Sequence, residues 1–352
     1  MKLREDEVEE WEDGQRISTD SGNLEWWYFD AHLEDGTAIV VQFYARSPFT
    51  PVGPFRPSVT IHIDLPDGRS IAKQYTGSAS EFSASQTTCD VRVGRNRFTG
   101  DLHRYRIDAQ IDDVEVGIDL VGTVPSYRHM TSHSYFGDPG DAKLFAWLPA
   151  VPQGDVTAKL TIDGTTRTLR GTGYHDHNWG DAPMWSVLHD WYWARAKIGP
   201  WTAIVASNIA EKKYDYDQQI NFMLAKDGVI LVKDHAKTTF TPADITQDEK
   251  TGKPVANRIA FDYEDGEERF HVQFDRVQTI LQEKLVDQLP ALARPIARFS
   301  GFNGAYHRFT GDVSIEHTRG GSAIDQAQDT ALWELFYFGK PRPTVPGSTT
   351  WS

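Results

Sequence analysis

Gly171-Thr172-Gly173-Tyr174-His175-Asp176-His177-Asn178-Trp179-Gly180, followed closely by Trp185, Trp191, Tyr192 and Trp193, is the stretch on which the rest of the chain turns. Between Gly171 and Trp193 stand His175, His177 and His189, Asp176, Asp181 and Asp190, and Asn178, set among four indoles. Nowhere else in the chain are proton-transfer groups and large apolar rings so concentrated. Side chains of a strand alternate between its faces. A strand from Thr172 to Trp179 therefore puts His175, His177 and Trp179 on one face and Tyr174, Asp176 and Asn178 on the other. One face can line a cavity while the other braces it.

Three readings of the stretch compete. Its polar groups can satisfy each other across a sheet, as buried polar groups normally do. The His-x-His pair can aim two imidazoles at a metal, but a catalytic zinc needs a third protein ligand. No HExxH motif or cysteine-rich partner supplies one, so no metal is expected. An aspartate buried among indoles can also have its pKa raised by desolvation and donate a proton near neutral pH. The composition favours this acid/base reading.

Upstream, Leu24-Glu25-Trp26-Trp27-Tyr28-Phe29-Asp30-Ala31-His32-Leu33 and Thr37 to Tyr44 flank Glu34-Asp35-Gly36, a hairpin signal. Glu25, beside two indoles, reads either as a solvated strand end or as a pocket acid. Short alternating runs recur at Val59–Leu65, Cys89–Gly94, Arg104–Ala109 and Val114–Leu120, and again at Trp191–Lys197, Trp201–Ala206 and Ile220–Leu224. Such runs with polar turns predict an all-β barrel or sandwich. Pro149, Pro152 and Gly154 carry turn chemistry. They suggest a boundary between an N-terminal barrel, 1–155, and a C-terminal barrel, 156–352, that holds the central motif. Apolar residues at Ile280, Leu281, Leu285, Leu289 and Leu292 predict one helical segment near 277–299, kinked by Pro290 and Pro295.

The net charge of −14 argues against a nucleic-acid or anionic-membrane partner. One cysteine, Cys89, excludes an internal disulfide. The acidic N-terminus lacks the apolar core of a signal peptide, and no run reaches the ~20 apolar residues needed to span a bilayer. A cytoplasmic location is expected. Gly-rich phosphate loops, GxSxG elbows and CxxC pairs are missing from the sequence.

Gly22-Asn23-Leu24-Glu25-Trp26-Trp27-Tyr28, together with Gly171 to Gly180, resembles the carotenoid 1,2-hydratase (hydroxyneurosporene synthase)/AttH-like superfamily, related to fungal Diels-Alderase-type cyclases. Trp191-Tyr192-Trp193 matches in type and place, and Trp333-Glu334-Leu335 resembles the family's closing strand. The resemblance implies two consecutive lipocalin-like antiparallel β-barrels, a pocket for a small apolar molecule and no organic cofactor. Fungal cyclases tend to carry Lys where His177 stands, so the chain leans towards the hydratases there.

Hydration of an isolated alkene needs a desolvated acid and a cavity that tolerates a carbocation. Asp176 is the expected acid, His175 or His177 the base for water, Glu25 a further pocket acid, and Arg195 the group that orients the carboxylate. Trp26, Trp27, Tyr28, Tyr174, Asn178, Trp179, Trp191, Trp193 and Trp333 are the expected substrate-binding residues. Strict alternation sets Asp176 and the histidines on opposite faces, and a bulge or twist would be needed to bring them into one pocket. The expected activity is a hydratase or acid-initiated cyclase acting on an isoprenoid or polyene. A pericyclase-like cyclase and a lipocalin-type carrier are the alternatives.

Overall fold

A computed structural model of the chain describes residues 3–4, 7–128, 132–232, 235–288 and 303–339. The protein is all-β and divides into two compact units, Met1–Pro183 and Met184–Ser352.

The first unit opens with β1 (Leu24–Leu33), β2 (Ala38–Arg46), β3 (Ser58–Asp64) and β4 (Ser70–Thr76). Short strands follow: β5 (Phe82–Ala84), β6 (Cys89–Val93) and β7 (Asn96–Gly100). Then come β8 (Arg104–Ile111), β9 (Val114–Gly122) and β10 (His133–Phe136), and finally the long pair β11 (Lys143–Ile162) and β12 (Thr165–Gly180). They form one antiparallel, lipocalin-like curled sheet in the order β4-β3-β2-β1-β12-β11-β9-β8-β7-β6-β5, with β10 on β11. Asp35 and Gly36 make the first hairpin turn as expected. Gly36 has a φ of 89°, and Asp35 accepts the Thr37 amide at 2.9 Å.

Alternation fills the concave side. Trp27, Phe29, Val41, Phe43, Ile61, Phe98, Ile107, Ile118 and Leu148 pack there as one fully buried core. Each such side chain contributes roughly 1.5–3 kcal/mol of burial.

The second unit takes β13 (Leu188–Ile198), β14 (Trp201–Ala210), β15 (Gln218–Lys226), β16 (Val229–Val232) and β17 (Thr238–Gln247). It continues with β18 (Pro254–Asp265), β19 (Glu268–Lys284), β20 (Ala305–Arg319) and β21 (Ser322–Tyr337). Its antiparallel order is β16-β15-β14-β13-β21-β20-β19-β18-β17, with a core that includes Tyr192, Trp201, Phe222, Phe261, Phe274 and Trp333.

Two expectations about boundaries are corrected. The units divide after Pro183, not after residue 155, and the motif strand β12 belongs to the first sheet. Pro149 and Pro152 do not end a domain. Register shifts between Pro149 and Val151, and between Val151 and Gly154, are bulges within β11, where a residue lacking an N–H is tolerated. The expected helical segment shrinks to one turn, Leu285–Gln288. Val277–Lys284 prolongs β19, because its partner β20 completes the ladder as far as Lys284 opposite Ala305. Residues 289–302 lie outside the described residues. Among the described residues, no helix is long and apolar enough to cross a membrane.

Candidate active site

β12 lies at the middle of the first sheet. Its register sets Tyr28 opposite Asp176, Asp30 opposite Tyr174 and Trp26 opposite Asn178 on the β1 side, and Trp147 opposite Asn178 on the β11 side. The alternation expected from sequence holds. His175, His177 and Trp179 face the core, while Tyr174, Asp176 and Asn178 occupy the convex face with Trp26, Tyr28, Asp30 and Trp147.

Asp176 is 7% exposed and held by three neutral donors. The Trp147 indole and the Tyr174 hydroxyl donate to Oδ2, each at 2.8 Å, and the Asn178 amide donates to Oδ1 at 2.8 Å. Burial raises its pKa to about 6, against the opposing pull of the Trp147 and Tyr174 hydrogen bonds and of His175. A carboxylate has about four acceptor positions. The three donors fix its plane and leave one Oδ1 position for a transferred proton. Among the aromatic residues of these strands, Tyr28 meets Tyr174 edge-on at 6.2 Å, and Trp26 lies 6.3 Å from Phe145. The group can lose and regain a proton near neutral pH in an environment of π-faces.

Trp147 supplies a bond that favours the ionised form. Trp147→Phe is expected to raise the pKa of Asp176 by about one unit, the scale of a hydrogen bond to a charged group. Carbon-13 NMR of labelled aspartate carboxyls would register the shift, and an unmoved titration would contradict it.

The convex face does not contain the two histidines. His175 Nδ1 donates to the Tyr28 carbonyl at 2.8 Å, and its Nε2 meets Asp13 at 3.1 Å. His177 Nε2 meets Glu25 at 3.0 Å and lies under the Trp27 ring, with centroids 4.5 Å apart. Tyr105 donates to Asp13 at 2.6 Å, and the Trp27 indole donates to the Asp13 carbonyl at 2.9 Å. Asp13, Glu25, His175 and His177 are each at most 1% exposed. Burial pushes the pKa of Asp13 up, but His175, His177 and Tyr105 more than reverse it, so it stays below the ordinary value. These groups anchor the N-terminal turn Glu10–Asp13 inside the sheet.

Of the sequence-predicted residues, the structure thus gathers Asp176, Tyr174, Asn178, Trp26 and Tyr28 on one face. Glu25, His175, His177, Trp27 and Trp179 lie in the interior behind it. Trp191, Trp193 and Arg195 alternate with the core residues of β13 on the outer face of the second sheet, where the Trp191 indole approaches Glu334 at 3.4 Å. Trp333, 1% exposed, is core packing against Phe274 and Phe309. Asp176 is oriented by Trp147, Tyr174 and Asn178, in place of the expected Arg195.

Sequence reasoning missed Trp147 and Asp13. Trp147 sits in an apolar run ending at the prolines, and a single indole there carried no chemical signal. Asp13 sits in an acidic lead-in that reads as solvated. A groove of about 810 Å³ lined by Tyr75, Glu81, Arg92, Arg95 and Gln110 lies along strands β4 to β8 and holds none of the expected site residues. The convergence of donors on Asp176 is the better guide to chemistry than the volume of that groove.

The model of the Diels-Alderase-like family matches residues 11–279. The chain is 24% identical over 197 residues to the quinolone epoxide rearrangement protein asqO of Emericella nidulans, covering 51% of this chain and 53% of that protein. It is 28% identical over 204 residues to a hydroxyneurosporene dehydrogenase of Chlorobaculum tepidum, covering 49% and 53%. The chain spans about half the length of these curated relatives. Its fold is similar to the crystal structure of CghA with Sch210972, with a TM-score of 0.57 and 15% identity over 91% of this chain and 89% of that one.

Proposed function

The chain belongs to the Diels-Alderase-like family, and from that premise we propose that it is a hydratase or acid-initiated cyclase of an apolar isoprenoid or polyene, with Asp176 as the proton donor. The observation that carries the reading is the Asp176 carboxyl itself: buried, set in plane by Trp147, Tyr174 and Asn178, and titrating near neutrality. A protonated Asp176 gives its proton to an alkene carbon, and the positive charge develops on the neighbouring carbon. The faces of Trp26, Tyr28 and Trp147 stabilise that charge by about 0.5–2 kcal/mol per desolvated ring. Capture by water then gives an alcohol, and capture by a second alkene of the same molecule gives a ring.

The family resemblance also favours a second outcome, concerted cyclisation, in which the face folds a linear polyene and Asp176 only polarises it. The lipocalin-carrier reading loses support because the first sheet's interior is filled by Phe29, Phe43, Phe98 and the Asp13 network.

One assay separates these outcomes. Purified protein is incubated with a panel of acyclic carotenoids and shorter polyenes in water enriched in oxygen-18, and the products are weighed by mass spectrometry. Hydration is expected, seen as a gain of one labelled water. A product of unchanged mass and altered retention would identify cyclisation instead, and recovery of every polyene unaltered would overturn both catalytic readings.

A further inference from the structure

Hydration needs a second group, because the attacking water must lose a proton as its oxygen bonds to carbon. The histidines expected to take that proton are turned into the core, His175 onto Asp13 and His177 onto Glu25. The convex face offers another candidate. Asp30 is 6% exposed and stands on the same face as Asp176, opposite Tyr174, two residue pairs along the β1–β12 ladder.

Four side chains there form a crossed square. On β1 the Tyr28 hydroxyl donates to Asp30 at 3.2 Å, and on β12 the Tyr174 hydroxyl donates to Asp176 at 2.8 Å. Each acid is therefore paired with a phenol two residues away on its own strand, and each faces the phenol of the other strand. The two carboxyls lie on one diagonal, the two phenols on the other, with their ring centroids 6.2 Å apart.

Diagonal positions of an antiparallel pair are about 7–8 Å apart. Acid and base carboxyls that must admit a water between them are about 6.5–9.5 Å apart in inverting glycosidases. Residue positions at that spacing let two carboxyls act on one substrate from separate places.

We infer that Asp30 is the general base of the reaction, taking a proton from the water that attacks the cation formed by Asp176. This role rests on the hydratase reading above. The carboxylic acid of Asp176 protonates one alkene carbon, and the π pair becomes the new C–H bond. Water bonds to the cationic carbon and passes one of its protons to the Asp30 carboxylate, leaving the neutral alcohol. At that point Asp176 is ionised and Asp30 protonated. Return of one proton from Asp30 to Asp176, past the two phenols between them, restores the starting state. The sum is alkene plus water giving alcohol.

The test separates protonation from hydration. The same polyene panel is incubated in deuterium oxide enriched in oxygen-18 with the wild-type chain, Asp30→Asn and Asp176→Asn. Asp30→Asn is expected to lose labelled-oxygen incorporation by about 10²-fold or more, the usual worth of a positioned base. It should still wash deuterium into recovered polyene, because the ionised Asp176 can take back a proton from the cation. Asp176→Asn should lose both signals. Should Asp30→Asn fail to fold, Tyr28→Phe keeps the carboxylate and removes its phenol; oxygen incorporation should fall against deuterium exchange.

Hydration by Asp30→Asn at the wild-type rate, or an unchanged ratio in Tyr28→Phe, would overturn the Asp30 role and leave Asp176 standing. A wild-type chain that only cyclises the polyenes would overturn it too, since no water is then consumed. A wild-type chain that converts none of them would overturn the hydratase reading and the Asp30 role together.

Discussion

Asp176→Asn is expected to lower turnover by about 10²–10⁴-fold, the usual cost of removing a general acid, yet to leave a chain at least as stable as the wild type near pH 7. The two effects share one cause. Burial raises the folded-state pKa of Asp176 from 3.8 to about 6. The folded chain therefore binds more protons than the unfolded chain across that interval, and stability declines as pH rises through it. The contribution is complete below about pH 4 and is lost by about pH 7, amounting to no more than about 3 kcal/mol. The asparagine has no charge to desolvate, so its stability should fall less steeply over that window than that of the wild type. Urea denaturation at pH 4.5 and pH 7 measures both slopes, and parallel slopes would show that Asp176 is not the titrating group. Retained turnover would remove it as the acid.

Asp13→Ala should produce the opposite pattern, a large loss of stability with the acid itself untouched. Its carboxylate meets His175 Nε2 at 3.1 Å and the Tyr105 hydroxyl at 2.6 Å, and its Oδ1 lies 3.5 Å from His177 Nδ1. Removing one member of such a buried set strands the others without partners, at a cost of about 3–5 kcal/mol. Asp13→Asn should cost less, because it keeps an oxygen for Tyr105. The midpoint of urea unfolding reads this directly, and a loss below about 1 kcal/mol would mean that the network is dispensable. The fraction of Asp13→Ala that remains folded should turn over substrate at a rate close to wild type, because the donors to Asp176 all lie on the other face.

Much of this arrangement was legible in residues 172–179. Period-two alternation alone separates Asp176 from His175 and His177, since a strand of that pattern has only two faces. The Asp-Gly pair at 35–36 marked a hairpin because it tolerates the backbone that turn requires. Pairing partners were not legible. Nothing local to β12 says that β1 lies against it, and that pairing is what brings Tyr28 and Asp30 beside Tyr174 and Asp176. The prolines at 149 and 152 read as punctuation because a proline in a strand is tolerated only at an edge or a bulge. Which of these applied was decided by the partner strands. Asp13 was hidden for a similar reason: an acidic residue in a polar leader carries no sign of being buried until the sheet that surrounds it exists. His175 and His177 were recognised as polar but assigned to catalysis, when their partners make them part of the core.

The seating of β1 against β12 also has a consequence for how the chain is made. Leu24 pairs with Gly180, so the first strand of this unit must wait for its last. Hairpins β1–β2 and β11–β12 can form as soon as each is synthesised, because their turns are short. The ladder joining them closes a very long loop, and the entropy of that closure must be met before any contact across it contributes. During translation the edge of β1 destined for β12 stands open, with Trp26, Trp27 and Phe29 exposed beside it. Pauses in synthesis between residues 46 and 165 would lengthen that exposure, making the yield of soluble chain sensitive to translation speed.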